Sequence, residues 1–392
     1  MNGAPKPFEA RAPSGGGLVK SAIVGREDSN CIEKLAQQLG DQTFSVIGLF
    51  VSPDADLSRI LSDAQEQWPD TPVIGCTTAG EIAPNQGYVE DCIVAFGLPE
   101  THFEIELVFI PDLGATFEEE LVERISKARA KLGQTGTAYP NEFAFLLVDG
   151  LSRSEDHLAS TIINGLGPTP VFGGSAGDGT RFEQTSVFWD GKAHENAAVL
   201  TLARTKCIPH VFSLNHFAPT ETRMVVTEAD PEKRLVREIN AEPAATELAR
   251  LLKKPADQID TFTFAESPLV VRFGEKHHVR AIKRVTEDGQ LEFFSAIDVG
   301  VVLTLADAEP MAEHLRSELM RLSEIDPPDA IIGCDCILRR IEAEQKQVSR
   351  DVSNVLQDFG VLGFSTYGEQ VGGLHVNQTM TGLALYPPRT AA

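Results

Sequence analysis

The chain has 392 residues, of which 42% are hydrophobic and 23% are charged, and its formal net charge is −23. At about 150 residues per domain, this length is enough for two or three domains with buried cores. The acidic balance makes nucleic acid and anionic membrane surfaces poor partners, because it repels both. No apolar run approaches the roughly 20 residues of a membrane helix, so we expect no membrane insertion.

The N-terminal segment is rich in Gly, Pro and Ala and lacks the apolar stretch of a secretory signal. We predict a flexible tail over residues 1–19. Without an export signal, the protein is expected in the cytoplasm, where its six cysteines would be free thiols or metal ligands instead of disulfides.

Predicted strands and helices alternate through the first half of the chain. The apolar run at residues 44–52 predicts a buried strand, and residues 117–132 predict a helix. Between them, a second predicted helix carries one apolar stripe of Ile60, Leu61, Ala64 and Trp68. The pair Asp190-Gly191, between two apolar runs, predicts a tight β-hairpin.

A polar, proline-containing stretch at residues 219–231 predicts a domain boundary, which gives domains at 20–220 and 221–392. Beyond it, helices are predicted at 242–252, 308–322 and 338–356, among several strands. Strands and helices alternate along the chain, and hairpins occur among them. This pattern favours an α/β protein with mixed sheets (mixed α+β) over one with an all-parallel sheet.

The C-terminal segment "GFSTYGEQVGGLHVNQTMTGLALY" predicts a turn followed by one long strand. In such a strand, alternate residues share a face, here His375, Asn377, Thr379 and Thr381. A row of polar side chains on one face of a strand either meets water or lines a pocket.

Two distant segments repeat the same short pattern. "VIGCTTAGE" at 73–81 and "VLGFSTYGE" at 361–369 share a Val, two glycines, a Thr and a Glu in register. Glycines let a backbone approach a ligand, while Thr and Glu offer a donor and an acceptor. Candidate contacts to a small organic ligand are therefore Thr78, Gly80, Glu81 and Thr366; chance recurrence of a tight turn is the alternative.

These segments, together with "VFGGSAGDG" and "HVNQT", resemble the FIST family over about residues 20–386. The resemblance implies two related sheet-and-helix halves, an N-terminal and a C-terminal FIST domain. Within the family, the chain is most similar to stand-alone bacterial haemoproteins that sense nitric oxide. This implies a cytoplasmic, non-enzymatic sensor that binds haem and acts on a histidine kinase, a diguanylate cyclase or a phosphodiesterase. A homo-oligomer is left open.

Under this resemblance, His375 is the first candidate for the haem iron, because the preceding glycines leave room for a flat cofactor. His210 and His216 are the next candidates, since they lie in an aromatic and apolar segment. The remaining cofactor contacts are expected from Tyr367, Gly368, Glu369 and Asn377.

Cys334 and Cys336 lie at the end of a predicted strand, just before a helix. The functional interpretation is a zinc, iron–sulfur or redox pair whose thiols gain acidity from the helix dipole. Buried free cysteines, and no metal at all, are the alternative. Because no nucleophile–base pair is evident, we predict no enzyme; the rival functions are a receptor for an organic ligand such as an amino acid, and a cysteine-based metal or redox sensor.

Overall fold

The structure is a computed structural model of the chain, and it describes residues 17–115, 118–134, 138–255, 259, 263–264, 267–274, 276–324 and 326–388. Of the tail predicted at residues 1–19, residues 1–16 lie outside the described part of the chain. At its end, Leu18 and Val19 are buried, and the Leu18 backbone N–H donates to Asp329. The chain therefore joins the core slightly before the predicted start of the first domain.

The helices of the described residues are mostly those that the apolar periodicity predicts. Their bounds are α1 Cys31–Leu39, α2 Leu57–Gln67, α3 Glu118–Gly133, α4 Glu155–Leu166, α5 Ala244–Leu252, α6 Met311–Leu322, α7 Ile337–Gln345 and α8 Ser349–Asp358. The single helix predicted over 338–356 is wrong. It is two helices, because Gln347 takes a left-handed conformation with φ 59° and ends the first of them.

The strands alternate with these helices and confirm the mixed α+β class. Their bounds are β1 Lys20–Gly25, β2 Phe44–Val51, β3 Val73–Thr77, β4 Glu81–Ala83, β5 Gly87–Val89, β6 Cys92–Pro99, β7 Phe103–Ile110, β8 Asn141–Val148, β9 Val171–Ser175, β10 Val187–Trp189, β11 Lys192–His194, β12 Ala198–Thr205, β13 Ile208–Leu214, β14 Phe217–Asp230, β15 Leu235–Ile239, β16 Glu242–Pro243, β17 Leu269–Phe273, β18 Lys276–Arg280, β19 Ile282–Val285, β20 Leu291–Phe293, β21 Val302–Ala308, β22 Ala330–Cys336, β23 Val361–Thr366, β24 Glu369–Val371, β25 Leu374–Val376 and β26 Met380–Tyr386.

Three stretches of the chain repeat one order of elements. Residues 20–99, 103–205 and 208–386 each contain an outer strand, two parallel inner strands, a short hairpin and a return strand, with helices between them. We call these stretches repeats one, two and three. In repeat three an insertion, residues 217–308, follows the outer strand.

Each repeat builds a six-stranded sheet, but its hairpin pairs with the sheet of another repeat. The strand orders are β1-β6-β2-β3-β10-β11, β7-β12-β8-β9-β24-β25 and β13-β26-β22-β23-β4-β5. The middle pair of each sheet is parallel and its other pairs are antiparallel. The hairpins of repeats one, two and three therefore enter the sheets of repeats three, one and two, which closes a ring of exchanged hairpins.

The two echoed turns are places where a hairpin leaves its own repeat, and "VFGGSAGD" is a third copy at the matching place in repeat two. The third residue of each copy is Gly because the strand lies close to its parallel neighbour. A Cβ on Gly75, Gly173 or Gly363 would lie 2.1, 2.2 or 1.8 Å from a backbone carbonyl oxygen of that neighbour. This glycine is thus required by packing in all three repeats.

Backbone hydrogen bonds join the three turns to one another. The Ser365 N–H donates to the Gly80 carbonyl (2.7 Å), and the Ser175 N–H donates to the Gly368 carbonyl (2.8 Å). The ring is completed by the Gly177 N–H, which donates to the Thr77 carbonyl (3.0 Å). The recurrence of the turn therefore follows from the exchange of hairpins.

The three sheets share one core, and helices cover their outer faces. Phe50 of repeat one stacks on Phe364 of repeat three, with ring centroids 4.4 Å apart. Phe96 of repeat one contacts Phe145 of repeat two edge-on at 6.3 Å. On the outer faces, α1 and α2 cover the sheet of repeat one, α3 and α4 that of repeat two, and α6 to α8 that of repeat three.

The insertion forms a fourth sheet, in the order β18-β17-β21-β14-β15-β20-β19, with β16 also paired to β15. The domain boundary predicted at 219–231 falls inside its strand β14. The polar composition misleads there because Met224 and Val226 face the core of the insertion while residues between and beside them are exposed.

The long C-terminal strand is a wrong prediction. Gly372 and Gly373 have positive φ angles of 54° and 83° and form the turn between β24 and β25. Gln378, with φ 47°, then separates β25 from β26. His375 consequently lies in a hairpin on the sheet of repeat two, while Thr381 lies in the sheet of repeat three.

Across the described residues, no helix combines the length and the apolar character needed to cross a bilayer.

Candidate functional site

A cavity of about 260 Å³ lies where repeats two and three meet the insertion. Repeat two contributes the loop that follows β8 and the start of α4, repeat three contributes its turn and hairpin, and the insertion contributes β15, β19 and β20 with their neighbours. The residues that line the cavity are Gly150, Leu151, Arg153, Glu155, Phe182, Lys233, Arg234, Lys283, Glu292, Phe293, Phe294, Tyr367 and His375.

His375 is one of the lining residues and is only 3% exposed. It lies opposite Gln370 in the β24–β25 hairpin, and the Gln370 amide nitrogen donates to its Nδ1 at 3.1 Å. The other ring nitrogen, Nε2, has no hydrogen-bond partner among the residues that the structure describes. Burial lowers the pKa of His375, so the ring is neutral near pH 7.

Gly368 packs directly against the Cε1–Nε2 edge of this imidazole, because it has no side chain. A Cβ at position 368 would lie 2.2 Å from Cε1 and 2.7 Å from Nε2 of His375. Those distances are far below van der Waals contact, so any residue larger than glycine displaces the ring.

Tyr367 forms part of the cavity wall and is fixed by Asp178. Its hydroxyl donates to the Asp178 carboxylate, and its ring stacks on Phe182 at 4.2 Å. The same carboxylate accepts three backbone N–H groups, those of Phe182, Glu183 and Gln184, at 2.8 to 2.9 Å. Burial alone would raise the pKa of Asp178, but these hydrogen bonds outweigh it and hold the pKa below its usual value.

The insertion covers the cavity through polar contacts to repeats two and three. Arg234 donates to Glu155 at 2.7 Å and also to the Phe294 carbonyl. Arg280 donates to the backbone carbonyl of His375 at 3.2 Å. The fourth sheet is therefore tied both to α4 and to the hairpin that carries His375.

Family comparison agrees with the architecture just described. A FIST N domain model matches residues 45–242, and a FIST C domain model matches residues 244–372. This chain belongs to the FIST family. FIST domains are sensory, ligand-binding domains of signal transduction rather than catalytic ones. A comparison with curated proteins gave no match.

The two matched regions of this FIST protein divide inside the insertion. The FIST N match includes β14 and β15, and the FIST C match begins at the start of α5. Strand β15 nevertheless pairs with β20, which belongs to the FIST C part. The fourth sheet thus joins the two FIST domains, and the cavity lies beside the β15–β20 pair that connects them.

Three of the predicted cofactor contacts of the FIST protein, Gly368, Glu369 and Asn377, are not among the residues that line the cavity. Glu369 is adjacent to Gln370 in a strand and so points to the opposite face, where it is fully buried and accepts from Thr366. Burial raises the pKa of Glu369 well above its usual range. Asn377 is also fully buried, and its amide donates to the Tyr367 carbonyl at 3.4 Å. Glu369 and Asn377 both stabilise the turn that carries Tyr367.

At the matching turn of repeat one, the side chain of Arg340 lies beside Gly80, as the ring of His375 lies beside Gly368 in repeat three. A Cβ on Gly80 would lie 2.0 Å from Nη1 of Arg340, and the Arg340 guanidinium packs over the ring of Tyr88 at 4.8 Å. Glu81 is fully buried and accepts from both Thr78 and Ser52. The predicted ligand contacts Thr78, Gly80, Glu81 and Thr366 are therefore interior groups.

The two other candidate histidines lie away from the cavity. His216 is fully buried, its Nε2 lies 2.9 Å from Glu342, and Arg339 donates to its Nδ1 at 3.0 Å. Both ring nitrogens are thus occupied by protein groups. His210 is exposed on β13, an edge strand.

Cys334 and Cys336 are free, fully buried thiols. Burial raises the pKa of both well above its usual range, so the acidity expected from the helix that follows does not develop. Among the described residues, no three His, Cys, Asp or Glu side chains are placed to hold a metal ion.

The sequence interpretation did not single out the basic side chains of the cavity, which are Arg153, Lys233, Arg234 and Lys283. One signal could have found Arg153. It follows β8 at the carboxyl end of a parallel strand pair, which is where sheets of this kind bind ligands.

Proposed function

We propose that this FIST protein is a cytoplasmic, non-enzymatic sensor that binds haem in the cavity beside His375 and responds to nitric oxide. The observation that carries the proposal is the placement of His375, a buried neutral imidazole that lines the cavity and whose Nε2 makes no hydrogen bond to any residue that the structure describes. We also propose that the sensor acts by contact on a histidine kinase or on an enzyme of cyclic-di-GMP metabolism.

The surroundings of His375 fit an iron ligand. Ligation through Nε2 requires the proton on Nδ1, and a neighbouring acceptor then fixes the ring. Gln370 Oε1 is buried and has no hydrogen-bond partner in the described part of the chain, and a half-turn of this amide brings it to face Nδ1 and the Ser175 hydroxyl. With His375 ligated through Nε2, Gln370 Oε1 would therefore accept hydrogen bonds from the Nδ1–H of His375 and from the Ser175 hydroxyl.

Several side chains of the cavity wall suit parts of the cofactor, although the whole haem needs more room than the cavity volume of about 260 Å³ and so requires the insertion to move outward. Phe182, Phe294 and Tyr367 offer aromatic faces to a flat ring, and Arg153 and Lys233 are the cations that would hold its propionates. A bound haem would supply an iron that binds nitric oxide.

The placement of the cavity supports signalling by contact. Groups from repeat two, repeat three and the insertion all line it, so a ligand touches three parts of the molecule at once. A ligand shifts a conformational equilibrium only when it binds two arrangements unequally. Movement of the insertion against α4 changes the cavity lining directly, because Arg234 links the two.

Haemin titration of the purified protein tests the proposal. We expect a Soret band that saturates at one haem per chain and moves when nitric oxide is added. His375→Gly should lose this band, and added imidazole should restore it. The control is His210→Ala, which alters an exposed histidine. An unchanged spectrum in His375→Gly would remove the proposed ligand.

A small organic acid, such as an amino acid, is the second candidate ligand. The volume of about 260 Å³ favours it, because this cavity is slightly smaller than the about 300 to 1,000 Å³ that small-molecule sites usually span. Calorimetric titration with amino acids, on protein shown to be free of haem, separates the two ligands. Saturable binding of an amino acid without any response to haemin would favour the second candidate.

A further inference from the structure

We infer that the cavity selects ligands that combine a flat aromatic body with a carboxylate, and that Arg153, assisted by Lys233, binds the carboxylate. This inference rests on the proposed function, because it concerns the same cavity. It adds the chemical class of the ligand and a residue that determines specificity.

The first argument is the sign of the charge in the cavity. The chain as a whole carries −23, yet the side chains that line this cavity include four basic and only two acidic groups. A concave site with a net positive charge attracts anionic ligands, even when the protein as a whole is negatively charged. An anion is therefore favoured here over the rest of the surface.

The second argument is which cations are already paired. Arg234 donates to Glu155 at 2.7 Å, and Lys283 lies 3.1 Å from Glu292, so both cavity carboxylates have cationic partners. Lys233 forms an ion pair with Asp230 at 3.2 Å, and its own side chain is largely exposed.

Arg153 differs from these three cations. It is exposed, and within the described residues it makes no ion pair. Its backbone takes a left-handed conformation with φ 58°, which is uncommon for a residue with a side chain. A planar guanidinium with free N–H groups matches a carboxylate in two-point geometry, whereas an ammonium does not.

The third argument is the aromatic wall beside these cations. Phe182 lies between Tyr367 and Phe294, with ring centroids 4.2 and 6.0 Å away. The Phe182–Tyr367 pair is fixed through Asp178, so one wall of the cavity is a preformed flat surface. Flat, conjugated molecules bind such surfaces by stacking. Haem, with its propionates, and indole carboxylates both belong to this class.

Paired probes that differ only in their charge test the inference. Haemin and its dimethyl ester are titrated into the wild type, Arg153→Gln, Lys233→Gln and the matched control Arg350→Gln, an exposed arginine outside the cavity. Removing one charged hydrogen bond should weaken haemin binding about tenfold in Arg153→Gln and less in Lys233→Gln. The ester should bind wild type and Arg153→Gln equally, and Arg350→Gln should match wild type.

The outcomes separate the inference from the proposed function. Equal haemin affinity in wild type and Arg153→Gln overturns the inference while the haem site stands. If the wild type does not bind haemin, the proposed haem function fails, and calorimetry with indole-3-carboxylate against indole-3-carboxamide decides the inference. Preference for the carboxylate, lost in Arg153→Gln, then supports it, and no preference overturns it.

Discussion

At the scale of single residues, the imidazole of His375 and the missing side chain of Gly368 depend on each other. An added Cβ at 368 would lie 2.2 Å from the ring, and the buried ring has little space in which to move. We expect Gly368→Ala to lower the free energy of unfolding by about 1 to 3 kcal/mol, the usual range for overpacking. It should also weaken haemin binding. Urea unfolding and haemin titration measure the two effects.

Gly133→Ala is the control for this variant, because none of the described residues comes within 4 Å of a Cβ added there. It should leave both quantities near wild type. Wild-type stability and haemin affinity in Gly368→Ala would contradict the placement of the ring against this glycine.

A buried carboxyl in repeat one predicts a pH dependence of stability. Burial raises the pKa of Glu81 to about 7, and hydrogen bonds from Thr78 and Ser52 only partly offset it. Between pH 4.5 and 7 the folded state holds a proton that the unfolded state has lost, so this group destabilises the fold as the pH rises. The effect levels off above about pH 7. Its full size is about 3 kcal/mol.

Urea unfolding of wild type and Glu81→Gln at pH 5 and pH 8 isolates this contribution, since the amide does not titrate. The stability of the wild type relative to the variant should fall on going from pH 5 to pH 8. A relative stability that stays constant over this range would contradict the account, because it would mean that Glu81 is already ionised in the folded state at pH 5.

The residue types of the C-terminal motif were enough to single out His375 and Tyr367, and both line the cavity. The same motif also suggested Glu369 and Asn377, which face the interior. The sequence alone did not separate these pairs, because the turn at Gly372-Gly373 and the break at Gln378 decide which side chains point together. Arg153 and Lys233 were not predicted, because they are far apart in the sequence and neither belongs to a motif. Only the fold brings them to one cavity.

At the scale of elements, the loop from Asp178 to Gln184 is a wall of the cavity that one carboxylate fixes. Asp178→Ala removes the acceptor of three backbone N–H groups and of the Tyr367 hydroxyl. We expect a loss of about 2 kcal/mol or more in the free energy of unfolding, together with faster hydrogen exchange at Phe182, Glu183 and Gln184.

Asp70→Ala, at an exposed loop position, provides the matched control. Both changes remove one carboxylate from a loop. If Asp178→Ala retains the exchange protection of the wild type in this loop, the carboxylate does not hold the wall.

Local signals predicted elements well where one short segment decides the geometry. Asp190 and Gly191, with φ angles of 50° and 69°, form the expected hairpin turn between β10 and β11. The same reasoning failed over the C-terminal strand, where β25 and β26 are successive in the chain but belong to different sheets. Pairing partners that are distant in the sequence leave no local signal.

At the scale of the whole molecule, the exchange of hairpins makes the three repeats depend on one another. The sheet of repeat one includes β10 and β11 from repeat two, and its inner face packs against the other two sheets. We expect a fragment of residues 17–101 to remain unfolded, because it lacks that hairpin and exposes its share of the central core. Circular dichroism and heteronuclear NMR provide the measurement.

A cooperative unfolding transition and dispersed amide signals in this fragment would contradict the account of interdependent repeats. The two echoed turns in the sequence indicated internal relationship, and the structure extends it to three repeats. The third copy is hard to see in the sequence, because "VFGGSAGD" lacks the Glu and because the long insertion hides the length of repeat three.

Hydrogen exchange with and without haemin tests the central claim, that the ligand binds where repeats two and three meet the insertion. We predict slower exchange on haemin binding in residues 365–377 and 291–296, and no change in α1 and α2, which cover the sheet of repeat one. Protection confined to other segments, or no protection in these two, would contradict it.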